Sequence, residues 1–151
     1  MKNWIKILSA LIFLGIIGGF LGYKFIYNKP HRDYEKATPD FSTTAMAFFN
    51  EYRDSTDKAE QNYNGKVIEL HGRLSKVEIA DSLTIAVFAL DEGLFGDEGI
   101  RCTMLPNHAS KVKDFQNKDV TIKGFCSGYN DTDIIMEKCS VVNSKQHLTS
   151  N

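Results

Sequence analysis

Three cysteines are the residues best suited to covalent or metal chemistry in this 151-residue chain. Cys102, Cys126 and Cys139 are far apart in sequence, so no closely spaced pair marks a zinc site. The histidines also lack a ligand spacing; they are His31, His71, His108 and His147. The thiols can therefore serve as small buried side chains or form a disulfide. We expect no metal and no other cofactor.

Possible nucleophiles and an acidic run are the other features that could carry chemistry, and neither indicates an enzyme. No cysteine or serine lies in a recognised nucleophile motif, so we predict a protein without catalytic residues. The acidic run from Asp91 to Glu98 has four carboxylates, which are potential calcium ligands. It does not match the 12-residue EF-hand pattern, so a solvated, mobile loop is the favoured interpretation.

The N-terminus predicts a membrane anchor over residues 1–27. Residues 7–23 carry no charge, and apolar residues extend the run to positions 4–27, close to the ~20 residues that span a bilayer. A cleaved signal peptide is the alternative, although the run is long for one and lacks a clear cleavage site. Gly15 and Gly19 are four residues apart, a spacing that lets two membrane helices pack closely against each other. Alternatively, they simply reflect the high glycine content of membrane helices.

Charge separates the remaining function classes. From Ala37 to Asn151 there are 12 Lys and Arg against 17 Asp and Glu, a net charge of −5. A protein that neutralises phosphates needs the opposite balance, so nucleic acid is disfavoured as a partner. The short basic lead favours an exported domain on a single-pass protein of a bacterial inner membrane. The count of cations after the apolar run, which are Lys24, Lys29, Arg32 and Lys36, slightly favours a cytoplasmic domain instead.

The elements that must position any site begin after a juxtamembrane linker at residues 28–40. Apolar residues at steps of three and four predict a helix from Thr43 to Asn62, capped by Ser42 or Thr43 and ended by Gly65.

Beyond Gly65 the period changes to two and predicts five strands. They start near residues 68, 83, 100, 120 and 134, and a short helix follows Pro106. Three strands, a helix and two strands is the order of an OB-fold barrel. The fold prediction is therefore mostly β with helices: a five-stranded OB barrel at 41–142, with a leading helix and a flexible tail at 143–151.

Four segments make the chain resemble the tRNA_anti-like family of bacterial OB-fold proteins. They are Tyr63–Gly72, Ile100–Cys102, Val120–Gly128 and Glu137–Cys139. The resemblance covers about residues 41–142 and rests on glycines, strand positions and cysteines. It implies kinship with anticodon-binding domains at the level of fold, which does not establish RNA binding.

Two site predictions follow from the barrel. Strands four and five are neighbours, so a register that places Cys126 opposite Cys139 allows a disulfide in an exported domain. If Leu83, Ile85, Val87 and Ala89 of strand two point into the barrel, Phe88 points outward; if Ile100, Cys102 and Met104 of strand three point inward, Arg101 and Thr103 point outward. Ligands of OB folds lie across these two strands and touch the loop that contains Tyr129, which predicts a binding surface of Phe88, Arg101 and Tyr129. Alternatively, the leading helix covers Phe88 and makes it part of the core.

The sequence thus favours a non-enzymatic binding or assembly module in the bacterial envelope, attached through residues 4–27 and recognising a protein or another envelope ligand. The alternative is a cytoplasm-facing OB domain that binds nucleic acid. The −5 balance opposes that alternative.

Overall fold

The computed structural model describes residues 2–26 and 33–142, which belong to two compact units. The first unit is the helix α1, Lys2–Ile26. Its segment Asn3–Tyr23 has a mean hydropathy of 2.2 and buries none of its residues within the chain. By length and composition this helix could cross a membrane, and a signal sequence would have the same properties. A Cβ on Gly15 or Gly19 would touch nothing, so helix self-association stays a prediction.

Seven strands, three α-helices and one 3₁₀ turn make up the described part of the second unit. Their bounds are β1 Phe41–Thr44, α2 Ala45–Asp54, α3 Thr56–Tyr63, β2 Val67–Arg73, β3 Lys76–Ala80, β4 Leu83–Gly93, β5 Gly96–Met104, the 3₁₀ turn Pro106–His108, α4 Ala109–Lys113, β6 Asp119–Tyr129 and β7 Asp133–Val141. Residues 28–32 of the predicted linker and the predicted tail at 143–151 lie outside the described residues.

All seven strands form one sheet in the order β1-β2-β6-β7-β5-β4-β3. The β1–β2 and β5–β7 pairs are parallel, and the other pairs are antiparallel. The predicted fold class, mostly β with helices, is therefore confirmed. The predicted number of strands is wrong, because β1 and β3 were not expected, and the hydrogen-bonded ladder is open between these two edges rather than closed.

The acidic run is ordered, which corrects the prediction of a mobile loop. Asp91 pairs with Glu98, Glu92 with Asp97 and Gly93 with Gly96, so the run continues β4 and β5 into a tight hairpin. Asp and Glu disfavour strands, but the pairing of β4 with β5 overrides that preference. Only Leu94 and Phe95 remain as the turn.

The predicted helix is divided in two at Ser55 and starts later than expected. Thr44 caps α2 by accepting a hydrogen bond from the Ala47 N–H at 3.2 Å, so the cap is neither Ser42 nor Thr43. The predicted stop is confirmed in its glycine, because Gly65 has a φ of +80°.

The core lies between the inner face of the sheet and the helices α2 and α3. Phe48, Phe49 and Tyr52 from α2 are fully buried there, against inward residues of β2, β4 and β5. Two glycines permit this packing by their lack of a side chain. A Cβ on Gly99 would overlap the Phe88 carbonyl, and one on Gly72 would lie 2.9 Å from the Ala45 Cβ.

Candidate binding surface

The sequence placed a site on the outer face of its second and third strands, which are β4 and β5, and in the structure β3 and β7 extend this outer face on either side. The register aligns Lys76, Val87, Arg101 and Ile135 in one row across the four strands. Ile100, Cys102 and Met104 are buried on the opposite face, as predicted, and Arg101 and Thr103 point outward.

Five charged residues form an alternating network on this face. Arg101 donates from Nε to Asp133 at 2.9 Å and from Nη1 to Glu78 at 2.7 Å. Lys76 continues the network, with its Nζ 3.1 Å from Glu78 and 3.2 Å from Asp97. Because three carboxylates face two cations, the network has a net charge of −1.

The network is electrostatically satisfied. Hydrogen bonds from Lys76 and then Arg101 lower the pKa of Glu78, and the bond to Asp133 is the largest cause of the raised pKa of Arg101. Asp133 also accepts the Gly99 N–H at 3.0 Å. The side chains are thus held in place above an aliphatic floor of Ile85, Val87 and Ile135, and they offer alternating charges to a ligand.

Phe88 does not belong to this surface. It is 0% exposed and lies in the core, as the alternative interpretation of the sequence had it. The expected inward set of β4 is shifted by one residue: Ala86 and Phe88 belong to the core, whereas Ile85 and Val87 lie on the other face, where Val87 is nevertheless only 2% exposed. A shift of one residue exchanges the two faces of a strand.

Tyr129 lies close to α2 rather than over Arg101. Its ring centroid is 5.5 Å from that of Tyr52, and its hydroxyl donates to the Asp131 carbonyl at 3.0 Å. Partial burial raises its pKa. The three predicted binding residues therefore have different neighbours, and only Arg101 occupies the outer face.

The cysteines are free thiols, and the expected register is wrong. Cys126 lies opposite Met136, and the Cys139 Sγ lies against Gly124, two residues earlier on β6. Two residues span about 6.6 Å along a strand, and neighbouring strands lie about 4.8 Å apart, which together separate the Cys126 and Cys139 Cα atoms by about 8 Å. A disulfide needs less than ~7 Å, so these two cysteines are too far apart to form one. Cys139 interacts with Cys102 instead, and burial raises the pKa of the Cys126 and Cys139 thiols. The part of the chain that the structure describes contains no cluster of metal ligands.

The second unit also contains a polar cavity that the sequence did not predict. It has a volume of about 500 Å³ and is lined by Glu35, Lys36, His108, Lys111 and Lys123, among others. His108 Nδ1 accepts the Val141 N–H, so the proton on Nε2 points to Glu35 at 2.8 Å. That bond is the largest cause of the lowered pKa of Glu35. The residues that line the cavity come from separate parts of the chain, so no sequence motif could have predicted it.

Comparison with known proteins identifies the family. The tRNA_anti-like family matches residues 1–141, which include α1 and nearly all of the second unit. The chain belongs to the tRNA_anti-like family. A comparison with curated proteins gives no match.

This tRNA_anti-like protein also resembles a solved structure, a candidate nucleic acid-binding lipoprotein from Klebsiella pneumoniae. The TM-score is 0.51 at 15% identity, and the similarity covers 67% of this chain and 91% of the other. At that identity the likeness concerns the fold alone. The description of the neighbour gives no support to the prediction against nucleic acid.

Proposed function

We propose that this tRNA_anti-like protein is a membrane-anchored, non-enzymatic binding module. Its binding surface is the outer face of β3, β4, β5 and β7. The observation that carries the proposal is the arrangement of Lys76, Glu78, Arg101 and Asp133 on the same face of the sheet as the half-buried Ile85 and Ile135. Lys76, Glu78 and Arg101 are partly exposed to solvent, whereas Asp133 is nearly buried. A rigid surface with both charges and apolar contact suits a protein or another polar ligand of the cell envelope.

An OB-type barrel is part of this proposal. β2, which neighbours the edge strand β1, and β3, the edge strand at the other end of the sheet, are consecutive in sequence and are separated only by Leu74 and Ser75. The segment Val67–Ala80 therefore pairs with β6 in its first half and with β4 in its second half. This single segment pairs near both ends of the sheet, and the helix α4 precedes β6. Both features support the OB arrangement.

Anchoring, topology and absence of catalysis are also proposed. The unburied apolar helix supports a single-pass anchor, which we place in the inner membrane. The short basic lead before the helix supports a second unit outside the cytoplasm, and the four-residue spacing of Gly15 and Gly19 supports self-association of the helix. The buried thiols, whose pKa values are raised, are poor nucleophiles, which supports a binding role. A reporter fused after Asn151 should be active only outside the cytoplasm, and sequencing of the mature N-terminus should find α1 uncleaved.

Site-specific photo-crosslinking tests the surface directly. A photoreactive amino acid at Thr103 lies next to Arg101 on the outer face, and the matched control is the exposed Lys58 on α3. We expect a discrete protein adduct from position 103 and none from position 58. Equal adducts from both positions, or none from either, would remove the outer face as the binding surface.

Nucleic-acid binding is the second candidate, because the structural neighbour is described as a candidate nucleic acid-binding protein. The full-length chain in detergent, titrated with a labelled single-stranded RNA at about 0.15 M salt, separates the two candidates. The binding-module proposal predicts no change in anisotropy. Binding that weakens steeply with salt, and less so in Arg101→Ala, would favour nucleic acid.

A further inference from the structure

The β4–β5 hairpin ends in two apolar residues that do not pack on the other described residues of the second unit. Leu94 is 97% exposed and Phe95 is 98% exposed. Turns of this length usually contain Gly, Asn or Asp, whereas here the two large residues stand between Gly93 and Gly96. Leu94 and Phe95, called the hairpin tip below, therefore contribute apolar surface without contributing to the core.

The hairpin tip is presented on the β4–β5 ladder, whose register shifts once, between Ala89 and Asp91. Cross-strand pairing continues up to Gly93 and Gly96, directly beside the tip. Arg53 of α2 pairs with Asp91, and Lys76 of β3 pairs with Asp97, so the hairpin is also fixed from both sides. A preorganised aromatic residue loses little conformational freedom on binding, which is the property of an interface hot spot.

The residues around the hairpin tip are acidic. Four carboxylates, called the acidic collar below, lie within three residues of it: Asp91, Glu92, Asp97 and Glu98. Arg53 and Lys76 compensate two of them, and Glu92 and Glu98 have no ion-pair partner within the described residues 33–142. An apolar tip behind uncompensated carboxylates is complementary to an apolar pocket with a basic rim.

We propose that the hairpin tip docks into an apolar pocket rimmed by lysine or arginine on a different protein. This assignment rests on the proposed binding function and names a partner class for it. Anionic lipid would be repelled by the acidic collar. A second copy of this chain would also be repelled, because residues 33–142 contain 12 Lys and Arg against 19 Asp and Glu, a net charge of −7.

Photo-crosslinking in cells tests the proposal on the full-length protein. A benzoyl-phenylalanine replaces Phe95, and the matched control replaces Ile79, an apolar residue of β3 that is 68% exposed. We expect one discrete protein adduct from position 95 and none from position 79. In the background of Glu92→Lys and Glu98→Lys the adduct should fall at least tenfold, whereas Asp57→Lys on α3 should leave it unchanged.

Other outcomes overturn the proposal in distinguishable ways. An adduct with lipid would identify a membrane contact, and an adduct with the chain itself would identify self-association. An adduct that is insensitive to charge reversal of the acidic collar would exclude a basic rim. If position 103 crosslinks but position 95 does not, the docking proposal fails and the proposed function stands; if neither crosslinks, both fail.

Discussion

The two ends of the β4–β5 hairpin contain the same kind of residue in opposite surroundings. At the base, Phe88 lies opposite Ile100, and both are fully buried beneath α2. At the tip, Phe95 is almost fully exposed. One phenylalanine therefore belongs to the core and the other is available for the docking contact that we propose, although they are only seven residues apart on one hairpin.

Phe88→Ala should give the largest effect. Removing a buried phenyl ring leaves a cavity, which typically costs about 3–5 kcal/mol of unfolding free energy. Urea unfolding of the chain in a mild detergent measures this loss. A loss below about 1 kcal/mol would show that the base of the hairpin is not a packed core.

Alkaline pH should destabilise the core at the base of the β4–β5 hairpin, because Tyr63 belongs to the helices that cover it. Burial, helped by a hydrogen bond to Glu51, raises the pKa of Tyr63 from 10.0 to about 12. Because the folded pKa is the higher one, this contribution is complete below pH 10 and is lost as the pH rises through 12. Tyr63→Phe should flatten the decline in unfolding free energy between pH 10 and 12. An unchanged slope in this variant would assign the decline to other groups.

Arg101→Ala should have a smaller effect on stability, since its guanidinium is partly exposed. The substitution removes the two bonds to Glu78 and Asp133, and we expect a loss of about 1 kcal/mol with the fold intact. Arg101→Lys should recover part of that loss. A loss above 3 kcal/mol would mean that the network supports the core and does not merely cover it.

Phe95→Ala should have the smallest effect. An exposed side chain without packing contacts changes the unfolding free energy by no more than about 0.5 kcal/mol. The same urea experiment compares it directly with Phe88→Ala. Similar losses in both variants would remove the distinction between the two ends of the hairpin.

The inner face of a strand could be predicted only where its two faces differ in polarity. In β5, Arg101 and Thr103 alternate with Ile100, Cys102 and Met104, and the sequence identified the inner face correctly. In β4, both alternating sets between Leu83 and Leu90 are apolar apart from Thr84, so periodicity could not select a face, and Phe88 was assigned either to the binding surface or to the core.

Short or acidic strands were missed for a different reason. β1 has only four residues, and β3 and the hairpin arms hold charges that disfavour strands when considered alone. Their partners β2, β4 and β5 determine the conformation. The ion pairs of Arg101 and the exposure of the hairpin tip likewise depend on neighbours distant in sequence, although two large apolar residues inside an acidic, glycine-flanked run were a visible signal.

Leu74, at the point where one segment changes partner from β6 to β4, has a consequence for hydrogen exchange. Its N–H donates to the Lys118 carbonyl at 3.0 Å and its carbonyl accepts the Asn117 N–H at 2.8 Å, while the Ser75 N–H already bonds to Val87. Opening either half of the segment Val67–Ala80 disturbs the other through this fully buried residue. The amides of β2 and β3 should therefore exchange as one cooperative unit with similar protection.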